Sequence, residues 1–379
     1  ILSGCSISKW IPEGKQLVRE ETISIHNPEK VHNSRKLKNQ LSLKVKPIIK
    51  YSLGNSGLWI YYKTKTDKEK GLKYWINKKF GKKPIYFESN IFERSRLVLQ
   101  NGMHEDGYFG TIISLDTTTH GKFVDIDFGI KSKGRYHIDS IIYPADTIPF
   151  AQLFQKAKRA SPIIEGQYYR KSNVDKERDR LFDELGEQGY LDFEKSLIVF
   201  YIDTTKTDLK TDIYVDITNL SDSSNMNRYV IGETFVFPDF NLNKTDSLEA
   251  LTDTIRLDRL NIIQSSEVLK PKAISRVFLQ DKGSLASTTT QYVAINRFQN
   301  LGMFKFTNAN FEKRVVEEEA FLDRYFYLTP SLTQDLLGEA EVNNRTGGLF
   351  GSALSLTYTH RNLFRGAERF DASIGGGIE

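Results

Sequence analysis

Residue types that could act as acids, bases or metal ligands are present in this chain, but their spacing fits no catalytic motif. Asp125 and Asp127 alternate with apolar residues, so this carboxylate pair is expected on the solvated face of a strand and not in an acid-base site. Six histidines are scattered without the spacing of a zinc site, namely His26, His32, His104, His120, His137 and His360. The sequence contains no nucleophile elbow, phosphate-binding loop or dinucleotide fingerprint. We therefore expect a protein that is not an enzyme and holds no metal or cofactor.

The single cysteine has a chemistry of its own. The segment Leu2-Ser3-Gly4-Cys5 resembles the lipobox of bacterial lipoproteins, where small residues flank the cleavage site and the cysteine thiol receives diacylglycerol. We interpret residues 1–13 as a lipobox and tether, with Cys5 as the lipidation site, and expect the chain to be part of a longer precursor. The alternative is a free cysteine after a truncated apolar segment.

Composition limits the classes of protein that remain. The chain has 379 residues, of which 27% are charged and 12% aromatic, with a net charge of +5; this is typical of a globular, β-containing protein of two to four domains. The basic run 63–83 could suggest anionic lipid or nucleic acid but is interpreted as solvated surface. The aromatic residues of the same insertion are interpreted as its own small core, because they show no pattern for binding single-stranded nucleic acid. No stretch reaches the roughly 18 apolar residues of a membrane-spanning helix.

The sequence contains a repeated pattern of helix, glycine and strand, which defines the elements of the fold. The stretch Ser172–Asp192 reads as a capped amphipathic helix, a glycine, an aromatic residue and the start of a strand. Much of it recurs over 89–109, and a fainter copy runs from 287 to 304. With a strand before each copy and an alternating hairpin after it, the sequence predicts an α+β fold of βααββ units.

The three units are predicted at 14–133, 134–222 and 227–330. We place insertions at about 48–84 and about 239–267, the second polar and without clear periodicity. Other predicted elements are a first strand at 17–25, a strand at 191–203 and helices at 37–47, 148–158, 173–185, 271–280 and 288–300. Repeats of this size are small domains in series and are too large for solenoid turns.

From Ser331 onward the pattern changes to strands without helices. Three strands of about ten residues follow one another, each apolar on one face and polar on the other. In the first of them the apolar set is Leu336, Gly338, Ala340 and Val342. The start of a transmembrane β-barrel at 331–379 and an ordinary antiparallel meander would both show this periodicity.

Three features together carry a family resemblance: the tandem βααββ units, Cys5 in front of them, and the segment Arg361-Asn-Leu-Phe-Arg-Gly-Ala-Glu368 behind them. The chain resembles the outer-membrane insertase superfamily of BamA and TamA, whose members carry periplasmic POTRA domains before a β-barrel. Within it, the chain is most similar to the TamL lipoprotein branch of Bacteroidetes. The resemblance implies three POTRA domains, an outer-membrane location with these domains in the periplasm, and assistance to the folding and insertion of other β-barrel proteins.

The resemblance also implies where clients bind. In the family the second strand of each unit lies at a sheet edge, to which an extended client strand can add by main-chain hydrogen bonds. The edge residues predicted here are Thr111, Ile113, Leu115, Leu197, Val199, Tyr201, Phe304 and Phe306. Clients would then reach the membrane at the first barrel strand, along Leu336, Gly338, Ala340 and Val342.

The partners implied are unfolded outer-membrane β-barrel proteins, outer-membrane lipid and, by analogy, an inner-membrane protein of the TamB type; nucleic acid is not among them. Two alternatives stay open at this point. One is a transporter of the two-partner secretion type, which shares the architecture but exports one passenger protein. The other is a soluble periplasmic scaffold that uses the repeats only to hold partners.

Overall fold

The computed structural model describes residues 7–45, 56–144, 153–154, 156, 158–206, 208–218, 227–241, 253–257, 260–344 and 350–378. Within these residues fourteen strands form four sheets. By its packing the chain divides into two units, Ile1–Arg178 with Val199–Asp216 and Asp179–Ile198 with Ile217–Glu379. The predicted α+β class is confirmed, while the boundaries of the three repeats stay a prediction.

The first sheet has the strand order β1-β3-β2. Its strands are β1 (Leu17–Ile25), β2 (Ile112–His120) and β3 (Phe123–Lys131). The central strand β3 is parallel to β1 and antiparallel to β2. Four helices lie between β1 and β2 in the sequence: α1 (Ser34–Lys44), α2 (Ser56–Thr64), α3 (Leu72–Phe80) and α4 (Ser89–Glu105). The prediction of β1 at 17–25 is confirmed residue for residue.

Local sequence explains the two helices that cover this sheet. The side chain of Asn33 accepts the Lys36 N–H and caps α1, which places Leu37 and Leu41 one turn apart on its buried face. In α4 the buried residues recur every three or four positions, at Phe92, Ser95, Leu99, Gly102 and Met103. This stripe packs onto the apolar face of the sheet and forms one core with it.

The second sheet has the order β4-β6-β5, with β6 parallel to β4. Its strands are β4 (His137–Ile142), β5 (Ile198–Asp203) and β6 (Lys210–Ile217), and helix α5 (Lys171–Glu187) precedes β5. The predicted strand at 191–203 is wrong in its first half, because a 3-10 turn occupies Lys195–Leu197. Leu197 and Ile198 are both buried, and this slip in the alternation marks the end of the turn. Most of the helix predicted at 148–158 lies outside the described residues.

The third sheet has five strands in the order β10-β11-β7-β9-β8. They are β7 (Tyr229–Phe237), β8 (Asp253–Leu257), β9 (Leu260–Gln264), β10 (Phe304–Val316) and β11 (Glu319–Pro330). Helices α6 (Pro271–Ser275) and α7 (Thr288–Asn300) cover one face. The insertion at 239–267, predicted to lack periodicity, instead contributes the hairpin β8–β9. Each of its strands has only five residues, which is too short for alternation to stand out in the sequence.

The last sheet is antiparallel throughout, in the order β12-β13-β14. Its strands are β12 (Gln334–Asn344), β13 (Phe350–Arg361) and β14 (Arg369–Ile378). The three predicted strands after Ser331 are therefore present. No helix in the described part of the chain is both long and apolar enough to span a membrane.

Candidate strand-docking edges

Each of the three helix-covered sheets ends, on one side, in the second strand of its unit. These strands are β2, β5 and β10, and each pairs with one neighbour among the described residues. An edge strand presents a row of main-chain N–H and C=O groups on its free side, which is the chemistry that an added strand needs. The structure thus places β2, β5 and β10 at edges, as the resemblance implies; their role in binding clients stays a prediction.

On the other side of each sheet, the outer side of the first strand is covered where that strand begins; in the third sheet β9 and β8 continue the sheet beyond β7, and β8 forms its edge. In the third sheet, residues 283–286 run antiparallel to the start of β7 and exchange three main-chain hydrogen bonds with it. Gly283 N donates to Ile231 O at 2.7 Å, Ile231 N to Ser284 O at 2.8 Å, and Ala286 N to Tyr229 O at 2.9 Å. Farther along β7, the hairpin β8–β9 pairs with the same side of the strand through β9.

The same cover recurs in the second sheet. Gly166 N donates to Ile138 O at 2.7 Å, Ile138 N to Gln167 O at 2.8 Å, and Tyr169 N to Tyr136 O at 2.9 Å. The donors and acceptors match those of the third sheet position by position. In both sheets the segment immediately precedes the helix before the second strand, and in both it begins with a glycine in the left-handed region, at φ +82°.

The first sheet has a shorter form of this cover. Val18 N donates to Ile85 O at 2.9 Å and Phe87 N to Gln16 O at 2.8 Å. Pro84 stands where the other two sheets have glycine, and because proline has no N–H the third hydrogen bond is missing. All three first strands therefore begin against a short antiparallel segment, which we call the edge cover.

The longest open edge belongs to β10, a strand of 13 residues. Near its end the side chain of Lys313 reaches the Leu191 carbonyl at 3.2 Å and the Asp192 carboxylate at 2.5 Å. The beginning of the strand, 304–308, instead borders a groove of about 580 Å³ that is rich in aromatic side chains, among them Phe240, Phe304, Phe306 and Tyr327. Alternate side chains of an added strand would meet this groove.

The predicted edge residues fall into two groups. Thr111, Leu197 and Phe304 are buried; the first two come directly before their strands, and Phe304 is the first residue of β10. Ile113 is also buried and belongs to the core of the first sheet, with Leu115 packed against it. The remaining three are more accessible: Phe306 and Tyr201 are about half exposed and Val199 is partly so.

Two charged residues on the same sheets have shifted pKa values because they are withdrawn from solvent. The Arg324 guanidinium on β11 is buried and donates to Thr234 Oγ1 at 2.8 and 2.9 Å, and its burial lowers the pKa of Arg324 to about 10. Glu21 lies on β1 opposite Ile126, and its Oε2 has no hydrogen-bond partner among the described residues. Burial raises the pKa of Glu21 to about 7.

The last sheet is built differently, with one apolar face that is open. In β12 Leu336 is 63% and Val342 77% exposed, and these residues share their face with Gly338 and Ala340 by the period of two. The pairings continue this surface across the sheet, from Gly338 opposite Leu356 to Leu356 opposite Ile374. The other face carries polar pairs such as Thr359 with Asp371, whose oxygens lie 2.6 Å apart.

The segment that carries much of the family resemblance is a tight turn between β13 and β14. The Glu368 carboxylate accepts the N–H groups of Phe364 and Gly366 at 3.1 and 3.0 Å. Three contacts attach the turn to the segment 267–270 that precedes α6, the first of which is the Asn362 side-chain N–H donating to the Val268 carbonyl at 2.7 Å. The Arg365 carbonyl accepts the Lys270 N–H at 2.8 Å, and the Arg365 guanidinium lies 2.7 Å from the Glu267 carboxylate.

Cys5 lies outside the described residues. Within the described ranges the structure holds no group of three or more His, Cys, Asp or Glu side chains that could bind a metal ion. The pair Asp125 and Asp127 instead contacts β1, through Arg19 Nε at 2.8 Å and Thr22 Oγ1 at 2.5 Å.

No family model matches the sequence, and no curated protein matches it. Solved structures that resemble the fold include POTRA domains of BamA and of Omp85. POTRA domains 3–5 of BamA from Haemophilus influenzae match with 12% identity and a TM-score of 0.37, over 84% of this chain and 99% of that chain. POTRA domains 1–3 of Omp85 from Anabaena match with 11% identity and a TM-score of 0.29, over 85% of this chain and 98% of that one.

CdiB from Acinetobacter baumannii matches with 10% identity and a TM-score of 0.32, over 65% of this chain and 38% of that chain. All three TM-scores lie below 0.5. Fold likeness at this level does not define a function, which must be argued from the edges and faces described above.

Proposed function

We propose that this chain assists the assembly of outer-membrane β-barrel proteins by receiving their strands on β2, β5 and β10. The binding mode is β-augmentation, in which the client's main chain extends the sheet and its alternate side chains contact the surface of the edge. Such a role needs no covalent chemistry, so we infer that the protein is not an enzyme and uses no cofactor.

The observation that supports this proposal is the asymmetry of the edges. In all three sheets an edge cover occupies the beginning of the first strand, while the second strand pairs with one neighbour only among the described residues. A free edge invites association with other chains, and proteins that do not use it usually block it. Because the start of the first strand is covered in all three sheets, whereas β2, β5 and β10 have no such cover within the described residues, these second-strand edges are the better candidates for a binding surface.

The open apolar face of β12–β14 supports an outer-membrane location. A three-stranded sheet that exposes Leu336, Val342 and Ile374 to water would be unfavourable, whereas strands with one apolar and one polar face are typical of an outer-membrane barrel wall. We propose that 331–379 begin such a wall, that clients approach it at β12, and that the helix-covered sheets lie in the periplasm.

The finer parts of the proposal rest on the sequence resemblance. They are membership of the TamL branch, an anchor on Cys5, contact with outer-membrane lipid and an inner-membrane partner of the TamB type. The anchor has a direct test, because Cys5→Ser should abolish the incorporation of labelled palmitate in growing cells. Label that persists in the Cys5→Ser protein would contradict a lipid anchor at this residue.

The docking mode is tested with proline at two neighbouring positions of β10, Asn308 and Ala309. In an antiparallel edge strand, successive N–H groups point alternately to the neighbouring strand and to the free side. One of the variants Asn308→Pro and Ala309→Pro therefore removes a donor to β11, and the other removes a donor on the free side. The probe is a synthetic peptide with the alternating sequence of 350–361, fluorescently labelled.

We expect the variant that loses the outward donor to keep the melting temperature of the parent and to weaken peptide binding about tenfold, the equivalent of one charge-neutral hydrogen bond and its neighbours. The other variant should lose stability. A control peptide of the same composition, in which apolar and polar residues do not alternate, should bind neither the parent protein nor the two proline variants. Unchanged peptide binding in both folded variants would contradict docking on β10.

A further inference from the structure

Two junctions in the chain are built in the same way. At each one, an Arg-Tyr pair that opens a new first strand binds the carbonyls of a preceding glycine turn. At the first junction Tyr136 N donates to Gly107 O at 2.9 Å, and Arg135 Nε to Asp106 O at 2.7 Å.

The second junction repeats this geometry with its own residues. Tyr229 N donates to Gly189 O at 2.9 Å, and Arg228 Nε to Gln188 O at 3.0 Å. The two junctions thus share one backbone arrangement and can be compared position by position, which shows what the different side chains add.

The side chains at the second junction satisfy one another. Arg228 Nη2 donates to Gln188 Oε1 at 3.2 Å. Ser287 follows the edge cover and donates through its hydroxyl to Glu187 at 2.5 Å, while the Thr289 N–H donates to the same carboxylate at 3.1 Å. Charge and hydrogen-bonding capacity at this junction are therefore largely balanced within the protein.

At the first junction the corresponding positions leave positive charge in excess. Arg170 stands where the second junction has Ser287, and Glu105, which corresponds to Glu187, is 2.6 Å from Lys44 instead. Arg135 and Arg170 form no ion pair within the described part of the chain, and Arg135 Nη1 has no hydrogen-bond partner there. Burial and the neighbouring charge of Arg170 both lower the pKa of Arg135.

These cations border a cavity of about 220 Å³. Its lining includes Lys36, Arg135 and Arg170, with Asp106 as the one carboxylate among the lining residues. The Tyr108 hydroxyl also lines it, and since that oxygen accepts the His32 N–H at 3.1 Å, its own proton remains to be donated. Guanidinium groups and a hydroxyl around a space of this size match the oxygens of a phosphate group.

We propose that this cavity, the first-junction cavity, binds a phosphate group carried by a lipid headgroup or by a small soluble molecule. Arg135 is held in place by the Asp106 carbonyl and by the face of Tyr168, 4.7 Å from its guanidinium carbon, and so is preorganised. Arg170 and Lys36 are exposed and supply further charge. The site does not depend on the proposed strand docking, because it lies on none of the three open edges.

The test is calorimetric titration of the purified 379-residue chain with sodium phosphate, against sodium chloride of equal ionic strength. Arg170→Gln and Lys36→Gln remove exposed charges that have no side-chain hydrogen bond within the described ranges, so both variants should keep the parent's melting temperature. We expect Arg170→Gln to weaken phosphate binding at least about tenfold, the effect of one charge-assisted contact, and Lys36→Gln to weaken it less. Arg228→Gln, the matched change at the second junction, should leave binding unchanged.

Flotation with phosphatidylcholine vesicles, with and without phosphatidic acid, separates the two sources of phosphate. Flotation that requires phosphatidic acid and is lost in Arg170→Gln identifies a lipid headgroup, whereas phosphate binding without such flotation identifies a small soluble ligand. The proposal would be overturned if phosphate gave the same heat of titration as chloride. It would also be overturned if Arg170→Gln and Arg228→Gln weakened phosphate binding equally.

Discussion

The strands β1, β4 and β7, which we call first strands, differ in one respect from β2, β5 and β10, which we call second strands: only the first strands begin against an edge cover. The cover makes three hydrogen bonds at β4 and β7 and two at β1. The second-strand edge is followed by no further strand among the described residues. Each edge cover has only three or four residues. A segment of this length beside the second strand would block that edge as well, but among the described residues such a segment pairs only with the first strand.

The largest effect is expected where the cover of the third sheet is broken. Ala286→Pro removes the N–H that donates to Tyr229 O and places a ring at a residue with no exposed surface. We expect a loss of about 3 kcal/mol in the free energy of unfolding, measured with urea. Ala286→Gly keeps the hydrogen bond and should cost about 1 kcal/mol. Equal stabilities of the two variants would show that the cover bond is unimportant.

A smaller effect is expected at the glycine that begins each full cover. Gly166 and Gly283 both have φ of +82°, and a Cβ added at either residue would have no atom within 4 Å. Replacing either glycine by alanine therefore causes no steric clash, and the only cost is the free energy of holding alanine in the left-handed region. Gly166→Ala and Gly283→Ala should each lower stability by about 1 kcal/mol. Gly376→Ala on β14 has open space and no positive φ, and should be neutral within error. If all three variants lost a similar amount of stability, the left-handed conformation of the cover glycines would not be the cause.

The strand β1 adds a pH dependence to the covered edge. The pKa of Glu21 is about 7 in the folded protein and 4.5 in the reference state. Between these values the unfolded chain loses its proton first, so stability falls as pH rises through this window and is highest below it. After discounting for partial exposure, Glu21→Gln should stabilise the protein by about 1 kcal/mol above pH ~8 and by nothing below pH ~4. Urea unfolding at both pH values checks this, and a pH-independent difference would contradict it.

The smallest change in stability is expected at Lys313, which closes the far half of β10. Its side chain is 40% exposed in its pair with Asp192, so Lys313→Ala should change stability by less than about 0.5 kcal/mol. The open edge should become longer, and the strand peptide should protect residues 313–316 in addition to the first half of β10. Crosslinking from each position maps this footprint, and an unchanged footprint would show that Lys313 does not limit the edge.

Regular elements with strong patterns could be predicted from the sequence. The strand at 17–25 and the helix at 288–300 have the predicted bounds, because alternation in one case and a serine cap in the other define their ends. The alternating strands after Ser331 follow for the same reason. The tandem repeats, read together with the family resemblance, also located β2, β5 and β10 as edge strands.

The edge covers could not be predicted, because they are three or four residues long and have no shared side-chain pattern. Pro84, Gly166 and Gly283 hold equivalent places, yet only the backbone bonds reveal the equivalence. The hairpin β8–β9 could not be predicted either, because each of its strands has only five residues. The first-junction cavity depends on side chains far apart in sequence, such as Lys36 and Arg170, which only the fold brings to one space.

The most direct test of strand docking is amide hydrogen exchange of the chain with and without the peptide of sequence 350–361. We predict slower exchange at the outward amides of β10, concentrated in 304–308 next to the aromatic groove, and no change in the edge cover 283–286 or along β7. Slower exchange along β7 or the cover, or no change in β10 at a peptide concentration that saturates binding, would contradict the claim that the open second-strand edges receive client strands.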